Sequence, residues 1–272
     1  MIGTNLAITT KNYAVAGGVT YDADALAYFT ANTAITSDAD KNAINTFYLG
    51  LKSDGIYTKM KAMYLPLWSS ATANKWNLKD PRDLDAAFRL TFATGWTYSS
   101  GGMTPANAFA NTFLNSFSNI NNAGHLSYYS RTQTISTTQN DIGNINNSIV
   151  PAVSCFIAST STIDVGYHGS TSLNTQQNIS DKRGFVISSK LSSTSLKLYK
   201  NGTLQNTVTT SNTINTPNLN IYLGARNNNN TADTFSTKQL SFASIGDGLT
   251  DTEAANFYNR VQTLMTYFVI NV

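Results

Sequence analysis

The sequence predicts an antiparallel β-sandwich with a helical segment before it and a single helix after it. Three observations carry that reading. From about residue 67 to 249, apolar residues fall in short alternating runs separated by Asn, Gly, Ser and Thr, as expected for many short strands at roughly ten-residue spacing. Residues 21–66 carry apolar residues at helical spacing instead. The last turn signal, Thr250-Asp251-Thr252-Glu253, opens an amphipathic stretch that runs to Phe268.

Taken in order, residues 1–20 read as an irregular arm with Gly17-Gly18 near its end. Ala23, Leu26, Ala27 and Ala31 then recur at helical spacing behind Asp22. Ser37-Asp38-Ala39-Asp40 is a helix start with acids in its first turn, and it leads into the stripe Ile44, Phe47, Tyr48 and Leu51. Ile56, Met60, Met63 and Tyr64 make a third helical stripe, stopped by Pro66. The strands begin with Phe88, Leu90 and Phe92, which alternate with Arg89 and Thr91. Cys155 to Ala158 and Gly184 to Leu191 follow. Leu196, Leu198 and Leu204 flank Asn201-Gly202, the strongest short hairpin signal because both turn residues tolerate positive φ. Leu219, Ile221 and Leu223 form another strand, then Leu240, Phe242 and Ile245. The Asn-rich tracts at 115–122, 140–147 and 227–230 read as loops, the last as an exposed tip. In the closing helix Thr250 and Glu253 form a capping box, and Ala254, Phe257, Tyr258, Val261, Leu264, Met265 and Phe268 form the apolar face. The expected divisions are an arm at 1–20, a helical adaptor at 21–66 and a sandwich with its closing helix at 67–272.

Composition narrows the chemistry. Only 12% of the 272 residues are charged, about half the usual share of roughly 25%. Asn (32), Thr (37) and Ser (27) dominate the polar residues. There are fourteen aspartates but one glutamate, Glu253, two histidines, His125 and His168, and one cysteine, Cys155. A glutamate pair, a His-rich metal site and an internal disulfide are therefore excluded. The net charge of +3 is no footprint for nucleic acid. No run reaches the roughly 18 apolar residues of a membrane span, and the first twenty residues do not read as a signal peptide. Low charge, abundant Asn, Ser and Thr, and no disulfide fit the surface of an extracellular particle assembled in a reducing cytoplasm. An AT-rich genome would raise Asn as well.

Leu196-Lys197-Leu198-Tyr199-Lys200-Asn201-Gly202, then Ile221-Tyr222-Leu223-Gly224-Ala225-Arg226, then Phe242 to Glu253 resemble, in that order, the C-terminal part of a laminin-G-like, concanavalin-A-like sandwich. That resemblance implies a jelly-roll fold. Leu78 to Leu90 and His125 to Thr132 are similar to segments of bacteriophage virion proteins of the tail-fibre, spike or minor structural type, and so is the helical zone at 22–64. This second resemblance implies a virion component assembled in the host cytoplasm, with the arm docking on other capsid or tail proteins and the chain forming a homo-oligomer, a trimer by analogy. It brings no catalytic motif.

The residues themselves point the same way. Sandwich glucanases of this fold use two close carboxylates on a strand, and no such pair occurs. Asp80, Asp83 and Asp85 flank Pro81 and read as turn residues paired with Arg82 or Arg89. No Gly-x-Ser-x-Gly elbow surrounds a serine, each histidine reads as structural, and Cys155 reads as a small buried hydrophobe. Glu253 is assigned to its cap. The expectation is a non-enzymatic protein without cofactor; a structural Ca²⁺ held by Asp247, Asp164 or the Asn227–Asn230 loop is the weaker alternative. Sugar sites need aromatic faces and amide or acidic partners on loops. Trp96 and Tyr98 lead into the Ser99-Ser100-Gly101-Gly102 loop and are the first candidates for a platform. Tyr128 is added because Tyr128-Tyr129 sits in an alternating strand, where one ring should face solvent or a partner. Asn227 and Asn228 are the candidate amide contacts. The sequence thus predicts a virion spike or fibre that attaches to host-surface glycan, with a purely architectural capsid or tail decoration as the alternative.

Overall fold

A computed structural model describes residues 20–133, 139–146, 152–158, 163–169, 175–178, 181–211 and 215–272. The helices are α1 (Ala23–Ala31), α2 (Asp38–Ser53), α3 (Ala71–Asn74), α4 (Ser116–Ile120) and α5 (Asp251–Tyr267). The strands are β1 (Met60–Tyr64), β2 (Thr91–Phe92), β3 (Trp96–Ser99), β4 (Gly102–Pro105), β5 (Ala110–Asn115), β6 (Gly124–Ser130), β7 (Gln139–Ile145), β8 (Ala152–Ala158) and β9 (Ile163–Gly169). They continue with β10 (Thr175–Asn178), β11 (Gly184–Ser192), β12 (Ser195–Lys200), β13 (Thr203–Val208), β14 (Asn220–Leu223), β15 (Arg226–Asn228), β16 (Thr231–Asp233) and β17 (Leu240–Gly246).

The strands form two packed sheets. One runs β13-β12-β11-β6-β17-β4-β3, with β1 also paired to β17. The other runs β10-β9-β8-β7-β14-β5-β2 and carries the β15–β16 hairpin. Pairing is antiparallel except between β15 and β7. The chain is therefore a mainly β antiparallel jelly-roll sandwich with helices at each end. A third layer, α1, α2 and α5, covers the outer face of the first sheet. Alternation along each strand then feeds two interiors. Leu126, Tyr128, Ile142, Leu198, Leu223 and Ile245 meet between the sheets. Tyr129, Phe185 and Phe242 point the other way and meet Phe47, Phe257 and Leu264 of the helices. Four of those rings, Phe47, Phe185, Phe242 and Phe257, pack edge to face at 5.3–6.0 Å, the arrangement that ring quadrupoles favour.

The local signals are realised at both helix ends. Ser37 caps α2 by accepting from the Asp40 N–H, and Thr250 with Glu253 closes a complete capping box on α5. Lys59 adds a 2.6 Å ion pair to Glu253, tying the first residues of the sheet to the last helix. Asn201 and Gly202 both take positive φ between β12 and β13, the expected tight turn.

Several expectations are corrected. Residues 21–66, expected to be helical, are not helical throughout. Past a 3₁₀ turn at Tyr57–Lys59, the third predicted helix is strand β1, paired with β17. Met60 and Met63 enter the helix-side interior while Ala62 and Tyr64 enter the inter-sheet one. A strand buried on both faces has no polar side to reveal its period. The helix α1 is present, but Ala25, Tyr28 and Phe29 are its buried residues rather than the predicted stripe. Of the strand expected at 88–92 only Thr91–Phe92 remains, because Asp85–Ala87 is a 3₁₀ turn and Phe88 takes φ 60°. The tract at 115–122 holds helix α4, capped by Asn115. The tract at 140–147 is largely β7, a buried central strand. The expected tip at 227–230 is a hairpin in which only Asn229 and Asn230 are exposed, both at positive φ. The arm at 1–20 lies outside the described residues apart from Thr20, and so does the side chain of Cys155.

Candidate functional site

The five residues singled out in the sequence do not converge on one surface. Trp96 is 9% exposed, donates from Nε1 to the Phe109 carbonyl at 3.1 Å, and fills the space over Gly224 where a Cβ would lie 2.6 Å from the ring. Tyr98 is half-buried and packs edge to face on Phe92. Tyr128 is buried between the sheets with its hydroxyl donating to the Lys238 carbonyl. The expectation that one of Tyr128 and Tyr129 faces solvent is overturned, because helices cover the face that an isolated sandwich would leave open. Asn227 is fully buried; its amide donates to the Asn220 carbonyl and its oxygen accepts from the Asn230 N–H. Asn228 is half-buried and donates to Asp233, which also holds Arg226 through two bonds.

The ionisable groups are likewise engaged. Asp80 pairs with Arg82, and Asp83 and Asp85 pair with Arg89, as the sequence predicts. Asp247 is bound to Lys61 at 2.9 Å. Among the described residues no cluster of three or more His, Cys, Asp or Glu could hold a metal ion. Asp164 lies on β9, with its side chain outside the described residues. His125 is buried and lies in a hydrogen-bond chain. Its Nδ1 must donate to the Asp247 carbonyl at 2.7 Å, since a carbonyl only accepts. Ser244 then donates to Nε2 at 2.9 Å, and Ser127 lies 2.7 Å from Ser244. Burial pushes the His125 imidazole down to about 4 and that of His168 to about 3. His168 donates from Nε2 to the Ile120 carbonyl. Both rings stay neutral at physiological pH, without access to solvent.

Among the described residues, two surface hollows stand out by volume. The larger is a groove of about 670 Å³ between α1 and residues 79–82, floored by Leu26, Ala27 and Ala31. These include most of the stripe that the sequence assigns to the core. At its rim Asp24 pairs with Lys52 and Asp80 with Arg82, while Lys79 donates to the Tyr57 carbonyl and lies over the Tyr57 ring. The second is a hollow of about 270 Å³ where the helical layer meets the β3–β4 turn, lined by Asp40, Leu67, Trp68, Ser69, Ser100 and Phe268. Trp68 and Phe268 meet edge to face at 6.2 Å. The backbone of Trp68 is clamped by Asn74, whose side chain accepts from its N–H at 2.9 Å and donates to its carbonyl at 2.7 Å. The indole Nε1–H, though buried, has no acceptor among the described residues. Asp40 stands in the first turn of α2, with Oδ1 accepting from the Tyr267 hydroxyl at 2.9 Å. An aromatic wall, a carboxylate and two exposed hydroxyls thus face one small hollow. Sequence reasoning reached the Ser99–Gly102 loop that borders it but chose Trp96 rather than Trp68, because nothing local tells which of two buried indoles borders a hollow.

No family model matches the sequence, and neither does any curated protein. In three dimensions the chain is similar to domain 4 of an extracellular arabinanase from Geobacillus stearothermophilus, solved with arabinotriose. The TM-score is 0.52 at 14% identity, over 74% of this chain and 98% of that one. It is also similar to botulinum neurotoxin type C, which depends on two ganglioside molecules to get into cells, with TM-score 0.53 at 11% identity over 77% of this chain. The binding domain of botulinum neurotoxin serotype D gives 0.51 at 12% identity over 77% of this chain. What the likeness shows is the fold, a jelly-roll β-sandwich. It spans about half of each neurotoxin chain, 53% and 52% respectively. None of these three neighbours is a virion protein.

Proposed function

We propose that the chain is a non-enzymatic glycan-binding sandwich, carried by a bacteriophage spike or fibre as a homo-oligomer that attaches to host-surface glycan. The hollow at Trp68 is the observation that carries the binding part. An indole and a phenyl ring beside a carboxylate and hydroxyls are the groups that sugar recognition requires: apolar faces for the ring carbons and fixed polar groups for the hydroxyls. The shared fold of an arabinotriose-bound domain and of neurotoxin chains supports the same reading. The non-enzymatic part is supported by carboxylates tied to Lys or Arg and by two histidines buried as neutral rings. The spike or fibre assignment and the oligomer rest on the sequence resemblance, and a multivalent array would turn weak single sites into useful avidity. Half-buried Tyr98 and Asn228 are secondary candidates for contacts.

A glycan array probed with the full chain tests the reading. The expected result is weak binding that strengthens when the chain is presented multivalently; no binding to any glycan in either format would overturn it.

A further inference from the structure

Resting on that reading, we infer that the hollow at Trp68 takes one uncharged sugar unit of a larger glycan and rejects acidic sugars. Three features of the hollow lead there. Its volume of about 270 Å³ lies just below the roughly 300 Å³ at which pockets for drug-sized ligands begin. That fits a single ring, with the rest of the chain lying in solvent. Its one ionisable group is Asp40, and the closest pairing of opposite charge on the same helix turn, Lys41 with Asp38, leaves Asp40 uncompensated. A carboxylate accepts hydrogen bonds from sugar hydroxyls or from an amino group, and it repels a sialic or uronic acid. The walls also lack something that a ligand would supply. Trp68 is 8% exposed and its Nε1–H has no acceptor among the described residues, and an unmade bond at a buried donor is a cost that a ligand acceptor relieves. A hydroxyl oxygen of a ligand that reached the indole edge would supply the acceptor that this Nε1–H lacks. The exposed hydroxyls of Ser69 and Ser100 complete the rim.

The hollow draws on the start of α2, the segment after β1, the β3–β4 turn and the end of α5. No one of these segments contains a binding motif. The site exists only because the helical layer overhangs the edge of the sandwich.

The test is calorimetric titration of the full chain with lactose, chitotriose and arabinotriose, and separately with 3′-sialyllactose. Binding of one or more neutral sugars is expected, with 3′-sialyllactose weaker. Trp68→Ala should weaken neutral binding by about tenfold or more, the usual scale for removing an aromatic anchor. Should that variant fold poorly, Ser100→Trp, on an exposed turn, should block the hollow equally well. Asp40→Asn should narrow the gap between lactose and 3′-sialyllactose. Neutral binding untouched by both Trp68→Ala and Ser100→Trp would overturn the site while leaving glycan binding in place. Equal or tighter binding of 3′-sialyllactose to the unaltered chain would overturn the sugar class. Absence of binding to every sugar here and on the array would remove the glycan reading itself, and this inference with it.

Discussion

Tyr128 and Tyr129 are neighbours on β6, yet they end in different interiors. Tyr128 lies between the two sheets among Leu126, Leu198 and Ile245, beside the buried pair Asp141–Lys238. Tyr129 lies between sheet and helices among Phe185, Phe242 and Phe257, and its hydroxyl reaches Gln262 of α5. The inter-sheet interior is mostly aliphatic and carries its own polar cluster. Asp141 accepts from Ser236 and Lys238, both buried. The helix-side interior is richer in rings, with eleven aromatic residues among its 28 buried ones against three among nineteen between the sheets. On the helix side the rings of Phe47, Phe185, Phe242 and Phe257 pack edge to face, the geometry that their quadrupoles favour. The comparison teaches that the helical layer is half of the core rather than an attachment to a finished sandwich.

The sharpest way to break that comparison is to hollow out the helix side. Phe257→Ala should destabilise the whole chain by about 3–5 kcal/mol, in one cooperative transition seen alike by far-UV and near-UV circular dichroism. A separate early transition of the helices would mean that the layer is an independent unit. On the other side, Lys238→Met should cost about 3 kcal/mol by leaving the Asp141 carboxylate buried without its cation. Lys238→Met combined with Asp141→Leu should recover most of that loss in urea unfolding, since a buried ion pair contributes little over apolar packing. No recovery would mean that the Ser236 bond to Asp141 is what the interior depends on.

The smallest effect is a pH dependence shared by both regions. His125 packs against Phe257 on the helix side, and His168 lies near α4 at the second sheet. Each has a folded pKa below its unfolded value of 6.5, about 4 and about 3 respectively. Between those values the unfolded chain binds more protons than the folded one. Stability from both rings is therefore full above pH 6.5 and declines as pH falls through 4. His125→Gln should flatten part of that decline in unfolding curves taken from pH 7 to 4. An unchanged slope would show that His125 is not the group responsible.

Much of the fold was legible because its signals are local. The start of α2 at Ser37, the α5 capping box and the Asn201-Gly202 turn depend on groups a few residues apart, and each appears where the pattern places it. Beyond them, local patterns misled in consistent ways. At 60–64 burial on both faces erased the strand period. At 140–145 asparagine suggested a loop, but Asn144 is a strand residue whose amide donates to Ser116 and to the Leu219 carbonyl. A buried amide is acceptable wherever partners from other segments satisfy it, and those partners are distant in sequence. The candidate platform suffered the same fate. Trp96 and Trp68 look alike as residues, and only the packing of Gly224 on one and the open rim of Ser69 and Ser100 beside the other distinguish them.

By itself, then, the sequence determined the class of fold, its two best helices, the tight hairpin and the poverty of acid–base chemistry, because each follows from composition or from neighbours along the chain. Only the tertiary structure decided that residues 21–66 complete the core, that Tyr128 is unavailable, and that Asp40, Trp68, Ser100 and Phe268 share a hollow. Those outcomes depend on which surfaces meet across the helix–sheet boundary, and contacts between residues so far apart leave no periodic trace in the sequence.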